Sequence, residues 1–180
     1  TPTELFRLLL INGSVMRLLC FQAKRFRWKT HSKTLPEVPY LEAEEEITDG
    51  VVIFVQAEAA DTPEQHLDSI RRKAVKHIKW LANKRDLRNI VLHSFIHLGG
   101  DTADPGFAEP LIQSIGDRLN HSGYHVRITP FGYFCEWDLS VYGVSLAKVW
   151  KEIHYLRYLG SYAPGNRSLD RKRAIIIYQK

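Results

Sequence analysis

The alternation of apolar and polar positions in the first third of the chain is typical of β-strands. Residues 5–11 predict a strand, and the Asn12-Gly13 pair after it is a strong signal for a two-residue hairpin turn. Residues 15–21 predict the returning strand, with side chains alternating between two faces. Residues 29–49 are rich in proline and glutamate without a clean period, which indicates a long loop. Residues 51–57 form a nearly unbroken apolar run that predicts a central strand.

Further along, apolar residues recur at steps of three and four, the spacing of a helix that packs one face on a sheet. One helix is predicted after Thr62-Pro63-Glu64-Gln65, which has the form of a capping box. A second is predicted from Asp104-Pro105 to about Gly123. A third is predicted from Ser145. The inward positions of these three helices are Leu67, Ile70, Ala74, Ile78 and Leu81, then Phe107, Leu111, Ile112, Ile115 and Leu119, and then Leu146, Val149, Trp150 and Ile153.

Three more strands are predicted at residues 89–96, 124–129 and 133–141, with Pro130-Phe131-Gly132 breaking the chain between the last two. The sequence therefore predicts a sheet with three helices, an α+β fold, in a compact domain over residues 1–155. Residues 156–180 differ in character, with Gly, Pro and Asn followed by basic residues. We expect them to form a basic linker or tail with one extra strand at 174–178.

Composition narrows the class of protein. The chain has 180 residues, 44% hydrophobic and 25% charged, which is ordinary for a soluble globular domain. Lys plus Arg number 25 against 20 for Asp plus Glu, and a net charge of +5 favours an anionic partner such as nucleic acid. No apolar run approaches the roughly 18 residues of a membrane span. We expect a cytoplasmic protein that does not bind membranes.

The two cysteines, Cys20 and Cys135, cannot form a disulfide framework or a complete zinc site, which favours a reducing compartment. The sequence contains no phosphate-binding G-x-x-x-x-G-K-[ST] loop, no H-E-x-x-H pair and no G-x-S-x-G elbow. No cofactor and no metal are therefore expected. Two segments carry the candidate chemistry: residues 93–100, where His97 follows a strand, and residues 129–137, an aromatic bend between strands. Strand ends and bends are common positions for ligand-binding residues.

In order and approximate spacing, these segments resemble the archaeal threonyl-tRNA synthetase editing domain, a relative of the D-aminoacyl-tRNA deacylase fold. The family pattern has a strand ending in P-F-A-H-L and a bend P-F-G-W-Y-K-S-F. Here Ser94-Phe95-Ile96-His97-Leu98 and Pro130-Phe131-Gly132-Tyr133-Phe134-Cys135 stand at those places. The resemblance extends to Leu8–Asn12, residues 52–58 and Leu146-Ala147-Lys148, from about Leu8 to Ile153.

The resemblance implies a D-aminoacyl-tRNA deacylase-like mixed sheet with about three helices, and proofreading by hydrolysis of seryl-tRNA(Thr). Serine lacks one methyl group of threonine, and one methyl discriminates by only about 1–3 kcal/mol, so a second site must remove the wrong product. The implied partners are the acceptor end of tRNA(Thr) carrying serine, a second copy of the chain in a homodimer, and a threonyl-tRNA synthetase catalytic module, acting in cis or in trans.

By the same resemblance, the catalytic positions are His97, Cys135 and Lys148. The implied substrate-binding positions are Asn12, Ala57, Ser94, Phe131, Gly132, Tyr133 and Phe134. The chain departs from the family where Phe134 and Cys135 replace a Tyr-Lys pair and Lys148 replaces a glutamate. An unperturbed thiol is largely neutral at pH 7, so Cys135 is better read as a pocket wall than as a nucleophile.

Two routes could compensate for these departures. Lys148 could return a cation to the pocket, or backbone N–H groups near Pro130–Tyr133 could hold the carbonyl while a ribose hydroxyl assists the water. Simpler readings also remain open. His97 could be an ordinary strand-end histidine, the bend aromatics could be core residues, and Asn12 could serve turn geometry. The alternatives for function are a tRNA-binding module without catalysis and a D-aminoacyl-tRNA deacylase.

Overall fold

The computed structural model describes residues 10–58 and 64–158. Six strands, two α-helices and one 3-10 turn follow one another in these residues. In chain order the elements are β1 (Leu10–Lys33), β2 (Glu44–Ala57), α1 (Glu64–Asn83), β3 (Asn89–Ser94), α2 (Pro105–His121), β4 (His125–Ile128), β5 (Tyr133–Val141), the 3-10 turn (Ser145–Ala147) and β6 (Lys148–Tyr158). Residues Asn12–Tyr155 form one compact unit; the other unit, Thr1–Ile11 with Leu156–Lys180, lies largely outside the described residues.

The six strands form one mixed sheet in the order β4-β3-β2-β1-β5, with β6 also paired to β1. Strands β2, β3 and β4 run parallel, so their carboxyl ends lie at the same edge of the sheet. Strand β1 is antiparallel to β2 and, in its second half, to β5. The parallel part is the arrangement that positions loops for ligand binding, because the loops after β2, β3 and β4 all leave from one edge.

The predicted turn at Asn12-Gly13 is wrong, because β1 passes through both residues as a continuous strand. The ladder partner of the segment after this pair is β2, with Met16 opposite Ala57. The predicted long loop at 29–49 is also too long, since only residues 34–43 connect the two strands. The acidic run lies in β2, where Glu44 pairs with Arg27 and Glu46 with Arg25 across the ladder.

Both long helices are confirmed and pack on one face of the sheet. Asp104 caps α2 by accepting a hydrogen bond from the Gly106 N–H at 2.8 Å, and Pro105 stands in the first turn. The capping-box residues Thr62 and Pro63 lie outside the described residues. The core beneath the helices contains Ile70, Ala74, Ile78 and Leu81 of α1, Leu111, Ile112, Ile115 and Leu119 of α2, and Ile53, Val55, Ile90 and Leu92 of the sheet.

The third predicted helix is wrong. Residues Ser145–Ala147 make a single 3-10 turn, and Lys148 begins strand β6. Val149 and Ile153 do point inward, but a separation of four residues fits the two-residue period of a strand as well as a helical turn. Trp150, which the predicted helix would place inward, is 47% exposed. The aromatic and β-branched content of this stretch favours a strand.

Within the described residues, neither helix is long and apolar enough to span a membrane. The predicted strand at residues 174–178 lies outside those residues, as does most of the one at 5–11.

Candidate functional site

The sheet is curled, and its concave face encloses a second, smaller core. Phe54 in β2 points away from the helices, whereas its neighbours Ile53 and Val55 point toward them. The Phe54 ring lies 5.4 Å from the ring of Trp137 in β5. Along β1, however, the partner of Phe54 is Leu19 and the partner of Trp137 is Trp28. Strand β5 therefore reaches Phe54 because the sheet curls back over its own concave face.

Aromatic rings fill this concave face. Phe54 is 4% exposed, and its ring centroid lies 5.1 to 5.6 Å from those of Phe21, His93, Phe95 and Trp137. Edge-to-face and tilted ring pairs of this kind add about 0.5–1.5 kcal/mol each beyond the area they bury. The cluster fixes the relative positions of β2, β3 and β5, and so the positions of the loops at their ends.

His93 ties the end of β3 to the bend before β5. Its Nδ1 lies 2.8 Å from the Thr129 hydroxyl oxygen, and both residues are buried. Burial lowers the pKa of His93 from 6.5 to about 4, so the ring is neutral at pH 7. A neutral imidazole can share this hydrogen bond without the cost of a buried charge.

Gln56 holds the loop that carries His97. Its side-chain amide donates to the Gly99 carbonyl oxygen at 2.5 Å and accepts from the Leu98 N–H at 2.7 Å. The side chain is 1% exposed, although it lies in an otherwise apolar strand. His97 itself is exposed, and its ring lies 5.4 Å from that of Phe95, edge to face. The loop backbone is therefore fixed on both sides of Leu98, and the His97 imidazole projects from a defined position.

Arg17 reinforces the same loop from β1. Its guanidinium donates to the Gly99 carbonyl oxygen at 2.8 Å and to a Glu152 carboxylate oxygen at 3.0 Å, and it pairs with Glu58 at the end of β2. Only 16% of the Arg17 side chain and 11% of the Glu58 side chain are exposed. This network joins β1, the end of β2, the loop after β3 and β6 at one edge of the sheet.

The bend before β5 packs against the loop 34–43. Gly132 has φ +78°, and a Cβ there would lie 2.8 Å from a Val38 methyl carbon, so both conformation and space favour glycine. The Gly132 carbonyl oxygen accepts the Thr34 N–H at 2.7 Å. The Tyr133 hydroxyl accepts the Leu41 N–H at 2.8 Å and donates to the Pro39 carbonyl oxygen at 2.5 Å. Tyr133 therefore fastens the loop to the bend.

Cys135 and Phe134 point to opposite faces of β5. Cys135 is half-buried and packs against the aromatic core together with Phe95 and Leu98. Burial raises the pKa of its thiol above the ordinary value, so the thiolate is disfavoured. Phe134 points away from the concave face and is 60% exposed. Phe95, His97, Leu98, Cys135 and Trp137 together form the partly open margin of the concave face, which we call the rim.

The remaining candidate residues lie at three places. Lys148 is exposed at the start of β6, and strand alternation places it on the same face as Glu152 and so as Arg17. Ala57 and Ser94 end β2 and β3 at the carboxyl edge and alternate toward the helix side. Phe131 packs against the helix-side core. Asn12 lies within β1.

The structure thus divides the candidate positions between two sides of the sheet. Cys135, and the Phe95 ring against which His97 lies, face the concave side; Ala57, Ser94 and Phe131 lie on the helix side. Gln56, His93 and Arg17 position these loops but are not among the residues predicted from the sequence. Each is a polar residue inside an apolar run or at a buried strand position. Burial of such a side chain costs free energy unless it is hydrogen-bonded, and this pattern could have indicated them.

The fold is that of the D-aminoacyl-tRNA deacylase class. A solved structure titled a probable eukaryotic D-amino acid tRNA deacylase aligns over 77% of this chain and 100% of that chain, with a TM-score of 0.54 and 11% identity. Residues 16–153 match the archaea-specific editing domain of threonyl-tRNA synthetase, and the chain belongs to that family. The predicted fold class and the predicted family are both confirmed, with two α-helices in the described part of the chain where three were predicted.

Similar proteins include threonine–tRNA ligases of Thermococcus sibiricus and Thermococcus kodakarensis. Each is 28% identical to this chain over 141 residues, which is 77% of this chain and 22% of the relative. The chain therefore matches about a fifth of the length of these relatives.

Proposed function

We propose that this chain hydrolyses the ester of seryl-tRNA(Thr) and spares threonyl-tRNA(Thr). The observation that carries the proposal is the family match, which covers residues 16–153 and so includes the His97 loop, the bend and the first part of β6. The basic balance of the chain, with a net charge of +5, suits a polyanionic substrate. The rim is proposed to receive the aminoacyl group.

In this proposal water adds to the ester carbonyl carbon, and the bond from that carbon to the ribose oxygen of the terminal adenosine breaks. Serine leaves as its acid, and the tRNA regains its hydroxyl group. The Leu98 N–H already donates to the Gln56 side chain, so it does not serve the developing oxyanion. We assign stabilisation of the oxyanion to other hydrogen-bond donors at the rim and the bend. We assign the positioning of water to His97 and to the adenosine ribose hydroxyl, with Lys148 as the source of positive charge.

Cys135 serves as a wall of the pocket. Its thiol is half-buried, and burial raises its pKa, which disfavours the thiolate that a nucleophile requires. A wall that fits a hydroxymethyl group would clash with one more methyl, and overpacking of that kind costs about 1–3 kcal/mol. Discrimination of roughly 10- to 200-fold between serine and threonine is the expected result.

The test is a panel of L-seryl, L-threonyl and D-aminoacyl tRNA esters, incubated with the protein and sampled for remaining ester. The proposal expects the L-seryl ester to be cleaved fastest, with lower kcat/KM for His97→Ala and for Lys148→Ala. Faster turnover of the D-aminoacyl ester would contradict the specificity and favour a D-aminoacyl-tRNA deacylase.

A second candidate function is tRNA binding without catalysis. The observation that favours it is the site itself, where a half-buried neutral thiol occupies the position of the family's lysine and an exposed phenylalanine that of its tyrosine. This function predicts tRNA binding with no loss of any ester above the rate in buffer, an outcome that the same panel reports.

We also propose a homodimer and a partnership with an aminoacylating module. The half-exposed indole of Trp150 supports association of two copies, since exposed tryptophans are enriched at interfaces. The relatives' remaining length, beyond the 22% matched here, supports a threonyl-tRNA synthetase module as partner. Sedimentation velocity at micromolar concentration is expected to give a dimer; a monomer would contradict the dimer and leave the hydrolysis proposal standing.

A further inference from the structure

The outer face of α1 carries a shallow basic groove on the helix layer, on the other face of the sheet from the rim. The groove has a volume of about 370 Å³, and the residues used below are Arg72, Lys76, Lys79 and Trp80 of α1 and Arg118 of α2. On α1 these residues recur at steps of three and four, on the side away from the buried stripe that includes Ile78. The groove is therefore built by the outward face of a helix whose inward face belongs to the core.

Among the described side chains, cations in and beside the groove outnumber carboxylates. Asp68 accepts from Arg118 at 2.5 Å, and its carboxylate also lies 3.4 Å from Arg71 and from Arg72. One carboxylate thus serves three guanidinium groups, which hold the pKa of Asp68 below its ordinary value. Lys76 and Lys79 add two ammonium groups to this surface, so the field over the groove favours an anion.

An exposed aromatic ring stands beside these cations. Trp80 is 41% exposed, whereas Ile70, Ile78 and Leu81 of the same helix are buried. The His77 ring stacks near it with centroids 5.5 Å apart, and the Lys84 ammonium lies 5.6 Å from the indole centroid. Cations that track a phosphate backbone, next to a planar side chain on which a base can stack, are the combination used for single-stranded or looped nucleic acid.

We propose that this groove binds an RNA segment of the substrate tRNA at a distance from its esterified 3′ end, with phosphates on the cations and an unpaired base on Trp80. The inference rests on the proposed function for the identity of the RNA. A membrane surface suits the groove less well, because membrane-binding helices present a broad apolar face and this face presents one indole among cations. The groove would add affinity for the whole tRNA without contacting the reacting ester.

The test measures binding of fluorescently labelled, deacylated tRNA by anisotropy between 50 and 200 mM salt. Lys76→Gln/Lys79→Gln is expected to weaken binding roughly tenfold at 0.1 M salt and to lower the slope of log K against log salt by about 2. Trp80→Ala is expected to weaken binding at least fivefold, as loss of one stacked base does.

Matched controls remove similar groups elsewhere. Lys24→Gln/Lys29→Gln deletes two exposed ammonium groups from β1, and Tyr40→Ala deletes an aromatic ring that is 75% exposed in the loop 34–43. Both controls are expected to bind tRNA within twofold of the wild type. Equal loss in the control and groove variants would overturn the proposal, since it would show an effect of net charge alone.

Two further readouts separate this proposal from the one on which it rests. Hydrolysis of seryl-adenosine, a small ester without phosphates, is expected to be the same in the groove variants and the wild type. If the wild type cleaves no seryl ester, the proposed function fails while anisotropy still tests the groove. The proposal that the groove binds RNA would be overturned if the groove variants bind tRNA as tightly as the wild type does. It would also be overturned if these variants lose only the binding of vesicles that contain phosphatidylserine.

Discussion

Replacing Gln56 with leucine tests whether the buried amide positions the His97 loop. Leucine has a similar volume but neither donates nor accepts, so the substitution removes the 2.5 Å bond to the Gly99 carbonyl and the 2.7 Å bond from the Leu98 N–H. The Gly99 carbonyl keeps the Arg17 guanidinium as a donor, at 2.8 Å. The Leu98 N–H loses the acceptor that Gln56 supplies.

Each lost bond carries about 1 kcal/mol net, and a buried donor left without an acceptor costs about 1–3 kcal/mol unless water reaches it. Because the loop is partly exposed, we expect water to satisfy part of this demand and the total to be about 2–3 kcal/mol. For a compact unit of this size, such a loss lowers the melting temperature by roughly 6–12 °C.

The assay pairs thermal unfolding with amide hydrogen exchange. Gln56→Leu is expected to speed exchange at Leu98 and to lower the rate of seryl-tRNA hydrolysis, because His97 is adjacent to the released backbone. Gln22→Leu is the matched control, since Gln22 is equally buried but donates to the Leu81 carbonyl at the end of α1, far along the sheet from the His97 loop. Unchanged Leu98 exchange in Gln56→Leu, with full stability, would refute the positioning role.

Three other predictions follow from the site. Burial lowers the pKa of His93 from 6.5 to about 4, so between these pH values the unfolded chain binds a proton that the folded chain does not. The free energy of unfolding therefore falls as the pH is lowered from 6.5 to about 4. His93→Asn is expected to reduce that fall by up to about 3 kcal/mol, measured by denaturant titrations at each pH. Cys135→Ala is expected to keep most seryl-tRNA hydrolysis, and a folded but inactive variant would show that the thiol reacts. Gly132→Ala is expected to lower the melting temperature by several degrees through strain at φ +78° and contact with Val38, whereas Gly143→Ala, with open space around it, serves as the control and should not.

Much of the fold could be predicted because the residues that determine it are local and periodic. The apolar residues of α2 at steps of three and four, together with the Asp104 cap, predict a helix, and in the structure it begins where predicted. The apolar run at residues 51–57 predicts the central strand, which is part of β2. The segment from Ser145 shows the limit of this reasoning. Val149 and Ile153 satisfy both a helical and a strand period, and pairing with the long strand β1 decides between them.

The site was harder to predict from the sequence because it depends on the curl of the sheet. Nothing in the sequence indicates that Trp137 meets Phe54, since the two residues lie in strands that do not neighbour each other and pair with distant parts of β1. Likewise, Gln56 in an apolar strand becomes informative only when its partners at Leu98 and Gly99 are seen. The family resemblance predicts His97 and Cys135 as site residues, but only the structure shows that the candidate positions are divided between two sides of the sheet.

The proposed hydrolysis depends most on where the aminoacyl adenosine binds. A crystal structure with seryl-3′-aminoadenosine, whose amide resists hydrolysis, answers this directly. We predict that the serine hydroxymethyl group lies at the rim, beside Cys135 and Phe95, with the adenosine ribose toward His97. Density for the analogue at any other surface of the domain, with the rim free of ligand, would contradict it.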